Sequence, residues 1–137
     1  MRLLIWHVDS FSAEPAERGR SKVADREPQA VSIAEGLVVF AAVEKADEAE
    51  PLAVAQRAAQ AVTEVARNLG AQSVLLHSFA HLFVELSAPA VARDVLHQTQ
   101  RLLEAEGFQV SQSAFGWFNR LEMKAKGHPL SRVARQV

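Results

Sequence analysis

One continuous apolar run, from residue 37 to residue 43, constrains the fold more than any other feature of this sequence. Its seven residues read Leu-Val-Val-Phe-Ala-Ala-Val, with no polar side chain among them. A strand that is apolar on both faces belongs inside a sheet that is covered on both sides. The run therefore predicts a central strand, and Ser73 to Leu76 predicts a second buried strand.

Two helices are predicted around these strands, each opened by a proline and closed by a glycine. Pro51 and Pro89 suit the first helical position, and Gly70 and Gly107 suit the position after the last turn. Apolar residues recur at helical spacing in both segments. The predicted inward stripes are Leu52, Ala55, Ala59, Val62, Ala66 and Leu69 in the first helix and Val91, Val95, Leu102 and Leu103 in the second.

Further strands are predicted at both ends of the chain. Residues 3–8 alternate between two faces, and residues 108–110 and 117–125 complete the set. Residues 11–34 have no sustained apolar period and predict a short strand near Phe11 followed by a mobile excursion. The order of strands, helix, strand, helix and strands predicts one α/β domain over residues 1–137.

The predicted strand at 117–125 carries one polar side chain on its apolar face. With a period of two, Asn119 shares a face with Leu121, Met123 and Ala125. The opposite face carries Arg120, Glu122, Lys124 and Lys126. An amide on a covered face needs a hydrogen-bond partner in the core or in a ligand, so Asn119 is a candidate site residue. The strand is predicted to end at the Gly127-His128-Pro129 turn.

Composition excludes several classes of protein. Hydrophobic residues make up 49% of the chain and the net charge is −1, which argues against a disordered or coiled-coil protein. No apolar run is long enough to cross a bilayer, and the N-terminus has a strand pattern instead of a signal segment. The sequence has no cysteine, which suits the cytoplasm. Residues 120–137 hold five Lys/Arg and one acid, so this end suits either contact with phosphate or a solvated face.

The histidines do not favour a metal site. His77 and His81 have a spacing that would suggest a metal on a helix. However, His77 is predicted to end a strand and His81 to lie in a loop, so no metal is expected. Ser78 lies near His81, but no acid at suitable spacing completes a catalytic triad. His97 is predicted to face solvent from the second helix.

Four segments, in order, resemble the N-terminal editing domain of archaeal-type threonyl-tRNA synthetases. They cover nearly the whole chain apart from about residues 11–34. The segments are residues 1–9 (MRLLIWHVD), residues 38–47 (VVFAAVEKAD), Phe79-Ala80-His81-Leu82 with Glu85-Leu86 and Pro89, and residues 115–118 (FGWF) followed by Lys126-Gly127-His128-Pro129-Leu130. The resemblance implies a three-layer α/β/β fold, related to D-aminoacyl-tRNA deacylases and commonly dimeric.

The activity implied by the resemblance is hydrolysis of the seryl ester on wrongly charged threonine tRNA. A site that accepts threonine cannot strongly exclude serine, because one methyl is worth only about 1–3 kcal/mol. In this family the 2′-hydroxyl of the terminal adenosine assists the water, so neither a protein triad nor a cofactor is implied. The implied partners are the tRNA 3′ end, a second copy of the chain, and the catalytic chain or domain of a threonyl-tRNA synthetase. No membrane partner is expected.

The resemblance also implies a set of site residues. His81 falls on the family's pocket histidine, and Asn119 stands where the family usually has a lysine that positions or activates the water; these two are the expected catalytic residues. The implied substrate-binding residues are Val43, Ala80, His81, Phe118, Asn119, Ala125, His128 and Arg132. His7 and Asp9 either contact the adenosine or its phosphate, or form a polar strand end.

Several of these positions depart from the family pattern. Ala125 replaces a common cysteine, Arg132 replaces a glutamate, and Phe83 and Val84 replace two serines. The replacement of the family's lysine by Asn119 and of its cysteine by Ala125 favours an alternative function, a non-catalytic module that binds a small amino acid or nucleoside or docks beside a synthetase. The retained Gly-His-Pro-Leu turn and Ala-His loop favour the enzyme. Both a freestanding chain and a piece of a longer synthetase are compatible with the resemblance.

Overall fold

The computed structural model of the chain describes residues 1–82 and 85–137. Within these residues the order is strands, helix, strand, helix and strands, as the sequence predicts. The elements are β1 (Arg2–Arg18), β2 (Val31–Ile33), β3 (Gly36–Ala42), α1 (Pro51–Leu69), β4 (Ser73–Ser78), α2 (Pro89–Ala105), β5 (Gln109–Gln112), β6 (Trp117–Ala125) and β7 (Arg132–Gln136). Proline opens both helices, and Gly70 ends α1 in the left-handed conformation.

The strands form one mixed sheet in the order β2-β1-β3-β4-β5, with β6 and β7 also paired to β1. Helical crossovers join β3 to β4 and β4 to β5, so these strands are parallel. The long β1 is antiparallel to each of its partners. Residues 2–8 of β1 pair with β3 and residues 2–6 with β7, whereas its later residues pair with β2 and β6.

Three layers result from a bend in β1. The helices cover one face of the sheet, where Leu3, Ile5 and Val39 join the main core. A register shift at Asp9 places a bulge in β1. The later half of β1, with β2 and β6, then crosses the opposite face, where β2 lies against β4 and Phe11 packs in a second core. The α/β/β fold is therefore confirmed.

The stretch from residue 11 to residue 34 differs from its prediction. Residues 11–18 continue β1, because they pair with β6 along nearly their whole length. The loop that follows residue 18 is held in place by Asp25. The Asp25 carboxylate accepts a hydrogen bond from the Phe115 amide at 2.7 Å, and the Asp25 carbonyl accepts one from Trp117 Nε1 at 2.9 Å. The predicted excursion is thus a docked loop.

The structure differs from the sequence prediction in three smaller ways. Leu52 was assigned to the buried stripe of α1, but its side chain is 58% exposed in the first turn. The sequence pattern did not predict β7. On β6, Leu121 and Met123 share a face with Asn119 as predicted, yet they are 39% and 41% exposed, so this chain does not cover them.

No helix within residues 1–82 and 85–137 combines the length and the apolar composition that crossing a membrane requires.

Candidate functional site

Two neighbouring cavities open where β3 and β4 end, which is the edge of a parallel sheet where ligands usually bind. They share four lining residues: Ser21, Ser78, Ala80 and Gly116. The first, here the apolar cavity, has a volume of about 180 Å³ and is otherwise lined mainly by small and aliphatic residues, Val43 among them. The second, here the aromatic cavity, has a volume of about 160 Å³ and adds His81 and Phe118.

Backbone hydrogen bonds tie the chain after β4 to the end of β3. The Phe79 amide donates to the Ala41 carbonyl at 2.9 Å, and the Ser87 amide donates to the Val43 carbonyl at 3.0 Å. These bonds place Val43 and Ala80 on the wall of the same cavity. They also engage the Val43 carbonyl within the chain.

The rings of His81 and Phe118 form one wall of the aromatic cavity. Their centroids are 6.0 Å apart and their planes differ by 26°, so the rings are stacked. His81 lies in a short 3-10 helix over Ala80–Leu82, and Phe118 is 52% exposed at the start of β6. Two exposed flat rings in this arrangement suit contact with an adenine ring.

Residues from the docked loop complete both cavities, and the sequence did not single them out as site residues. Gly116 has φ +76°, and a Cβ there would lie 2.7 Å from the Cβ of Ala24. Its carbonyl accepts a hydrogen bond from Gly19 at 2.8 Å. This close approach places Arg20 and Ser21 at the cavities. The only sequence feature that pointed to this close approach was Gly116, the glycine among the aromatic residues at 115–118.

Asn119 lies beside this site but does not line either of the two cavities. Its Nδ2 donates to the Trp117 carbonyl at 3.0 Å. Its Oδ1 is buried and has no hydrogen-bond partner among the described residues. Its neighbour Phe118, on the opposite face of β6, lines the aromatic cavity together with His81.

A second group of predicted residues lies at the far end of β6. Ala125 pairs with Val8, roughly 23 Å along the strand from Phe118. The Nδ1 of buried His7 lies 2.9 Å from His128 Nε2, and its Nε2 contacts the Glu35 carboxylate. The structure therefore does not bring His7, Ala125 or His128 to the two cavities.

Two more predicted residues are engaged within the chain. Lys126 Nζ donates to the Asp9 carboxylate at 2.7 Å, and this bond holds the pKa of Asp9 below its usual value. The guanidinium of Arg132 lies 4.7 Å from the ring centroid of Trp6. The replacement noted at Phe83 and Val84 lies outside the described residues.

His77 is buried and lines neither of the two cavities. Its Nδ1 lies 2.6 Å from Ser113 Oγ. Burial, with a smaller effect from the charge of His81, lowers the pKa of His77 to about 4. The imidazole is therefore neutral at neutral pH. Within the described residues, no group of three or more His, Asp or Glu side chains could hold a metal ion.

The family model of the archaea-specific editing domain of threonyl-tRNA synthetase matches residues 1–137. The chain belongs to this editing-domain family. Curated relatives include the threonine–tRNA ligase of Methanopyrus kandleri, 40% identical over 139 residues, and that of Thermococcus onnurineus, 33% identical over 139 residues. Each match covers 100% of this chain but 22% of the relative, so the chain spans about a fifth of these curated proteins.

Solved structures share the fold of this editing domain at low sequence identity. One is the c-Myc DNA unwinding element binding protein, with a TM-score of 0.66 at 10% identity over 100% of this chain and 99% of that chain. Another is titled as a probable eukaryotic D-amino acid tRNA deacylase, with a TM-score of 0.63 at 13% identity over 98% of both chains. Both support the deacylase-like α/β/β fold.

Proposed function

We propose that this editing domain hydrolyses the ester of wrongly charged tRNA, with serine on threonine tRNA as the expected substrate. The observation that carries the proposal is the pair of neighbouring cavities at the ends of β3 and β4, which share four lining residues. One is small and apolar, and the other is walled by the stacked rings of His81 and Phe118. We assign the amino acid to the apolar cavity and place the terminal adenosine against the rings of the aromatic cavity.

The chemistry must come largely from the substrate and a positioned water. No aspartate or glutamate is among the described residues that line the two cavities, so no carboxylate base is assigned. We propose that the 2′-hydroxyl of the adenosine orients the water. The water adds to the ester carbonyl, the bond to the 3′-oxygen breaks, and that oxygen takes up a proton as the amino acid leaves. Holding these groups together lowers the barrier by itself.

His81 is the described side chain best placed to act on the adenosine end of this ester. It is exposed and lines the aromatic cavity, and its ring contacts those of Phe118 and Phe79. We assign it the positioning of the ribose or the protonation of the departing oxygen. Ser78 lines both cavities and can hydrogen-bond the water or the amino acid.

A non-catalytic binding module is the second candidate, and the position of Asn119 favours it. The amide is folded onto its own strand and supplies no positive charge to a developing oxyanion. In this alternative the same cavities would hold a small amino acid or nucleoside. In either case we expect a cytoplasmic homodimer that works with tRNA and with the catalytic chain or domain of a threonyl-tRNA synthetase.

Release of amino acid from charged tRNA tests the proposal. Serine, glycine, alanine and D-amino acids should be compared, and we expect release of a small amino acid above the uncatalysed rate. His81→Ala should slow it about 100-fold, a typical effect of a proton-transferring group. His97→Ala is the matched control, because His97 is exposed on α2. No release of any amino acid would leave the binding module as the function.

A further inference from the structure

Arg20 is the only lysine or arginine among the described residues that line the two neighbouring cavities. It lies on the wall of the aromatic cavity with His81 and Phe118, and no aspartate or glutamate is among the described lining residues of that cavity. The proposed chemistry does not use this guanidinium. A cation beside exposed rings is the arrangement with which proteins hold single-stranded nucleotides, the rings on the base and the cation on the backbone.

The backbone is fixed on both sides of Arg20. Before it, the Gly19 amide donates to the Gly116 carbonyl at 2.8 Å, and a Cβ on Gly19 would lie 2.7 Å from that carbonyl oxygen. After it, the Ser21 carbonyl accepts a hydrogen bond from the Ala24 amide at 3.3 Å. The docked loop thus holds Arg20 beside the aromatic cavity, and only the side chain has to be ordered when a ligand binds.

The guanidinium of Arg20 has no partner among the described residues. The residue is exposed and forms no hydrogen bond or ion pair with any of them. The acid nearest to it in the sequence, Glu17, lies on β1 opposite Phe118 and makes no ion pair with Arg20. Arg20 therefore keeps its full positive charge and its hydrogen-bond donors for a ligand of the aromatic cavity.

We infer that Arg20 binds the phosphate on the 5′ side of the terminal adenosine of the tRNA 3′ end, an inference that rests on the proposed function. When the adenine lies against the rings of His81 and Phe118, this phosphate is one ribose away, within reach of a long side chain on the wall of the same cavity. The fork of an arginine matches two phosphate oxygens. The contact anchors the nucleotide at its 5′ end, while the ester lies at its 3′ end.

Binding of two ligands that differ only in a phosphate group tests this inference without hydrolysis. Adenosine 5′-O-methylphosphate carries the single charge of an internucleotide phosphate. We expect the wild type to bind it about tenfold more tightly than adenosine, the lower range for a hydrogen bond to a charged group. Arg20→Gln should abolish this preference and leave the affinity for adenosine unchanged. Arg20→Lys should keep part of the preference, because the charge remains while the fork is lost.

Arg18→Gln is the matched control, since Arg18 is exposed two residues away and lines neither cavity. The inference is overturned if the wild type binds neither ligand or binds both equally, or if Arg20→Gln and Arg18→Gln have the same effect. It is also overturned if Arg20→Gln changes the mass of the particle in solution, because the guanidinium would then belong to an interface between copies.

Hydrolysis is scored separately, on seryl-adenosine and on seryl-tRNA. Arg20→Gln should slow the reaction of seryl-tRNA and leave that of seryl-adenosine unchanged, since only the tRNA carries the phosphate. Failure of the wild type on both substrates refutes the proposed function. The difference in binding between the two adenosine ligands then still decides the role of Arg20.

Discussion

At the scale of single residues, the burial of His77 makes the free energy of unfolding depend on pH. Its neutral form is favoured in the folded protein, where the pKa is about 4, whereas the unfolded chain titrates near 6.5. Between these values the unfolded chain binds more protons, so the free energy of unfolding falls as pH falls. We expect His77 to account for a loss of about 2 kcal/mol between pH 7 and pH 5.

Urea unfolding of the wild type and of His77→Gln at pH 7, 6 and 5 measures this dependence. The variant should be less stable at pH 7 but should show a flatter profile. His97→Gln, which removes an exposed imidazole from α2, is the matched control. Equal slopes for the wild type and His77→Gln would contradict the prediction.

Asn119 is the second residue whose chemistry can be tested alone. The Oδ1 of Asn119 is buried and has no hydrogen-bond partner among the described residues, so the side-chain amide is only partly hydrogen-bonded within the chain. Asn119→Lys restores the charge that the family usually has, and we expect faster hydrolysis of the seryl ester. A well-placed donor to an oxyanion contributes about 10²–10³ in rate, which sets the upper limit of the gain. Asn119→Gln lengthens the side chain without charge, and a rate equal to that of the lysine variant would count against the electrostatic explanation.

At the scale of elements, the docked loop depends on the turn before β6. Gly116 has positive φ and also lies against Ala24, so Gly116→Ala introduces both backbone strain and a clash. Gly70 has φ +69° with nothing within 4 Å of an added Cβ. Gly70→Ala should therefore cost only the strain, about 1–2 kcal/mol. Gly116→Ala should cost about 1–3 kcal/mol more and should also reduce hydrolysis, because the loop places Arg20 and Ser21 at the cavities.

Urea unfolding and seryl-tRNA hydrolysis, measured on both glycine variants, separate the two effects. Equal losses of stability with unchanged activity in Gly116→Ala would show that the loop does not shape the site.

At the scale of the whole molecule, an uncovered apolar strip on β6 predicts a dimer. Leu121 and Met123 are exposed on the same face as the partly satisfied Asn119. An exposed apolar strip beside a strand edge favours pairing with a second copy. Sedimentation at micromolar concentration should give twice the chain mass of 15.0 kDa. Replacing both residues with lysine should yield the monomer, whereas Leu52→Lys, on the exposed first turn of α1, should not. A wild-type species of 15.0 kDa alone would refute the dimer.

The sequence alone determined the local elements and most of their order. Continuous apolar residues predicted β3, and Pro51 and Gly70 predicted the two ends of α1, because these signals act within a few residues. The alternation on β6 correctly placed Asn119, Leu121 and Met123 on one face of the strand. The layer arrangement came from the family resemblance, since periodicity does not report how a long strand bends.

Only the tertiary structure decided which of the candidate residues meet. It brought Val43, Ala80, His81 and Phe118 to the two neighbouring cavities. It placed His7 and His128 together at the far end of β6, and it completed the cavities with a loop whose only sequence signal was Gly116. The physical reason is that periodicity assigns a side chain to a face of a strand, whereas register, the bulge at Asp9 and contacts across nearly a hundred residues decide its position along that face.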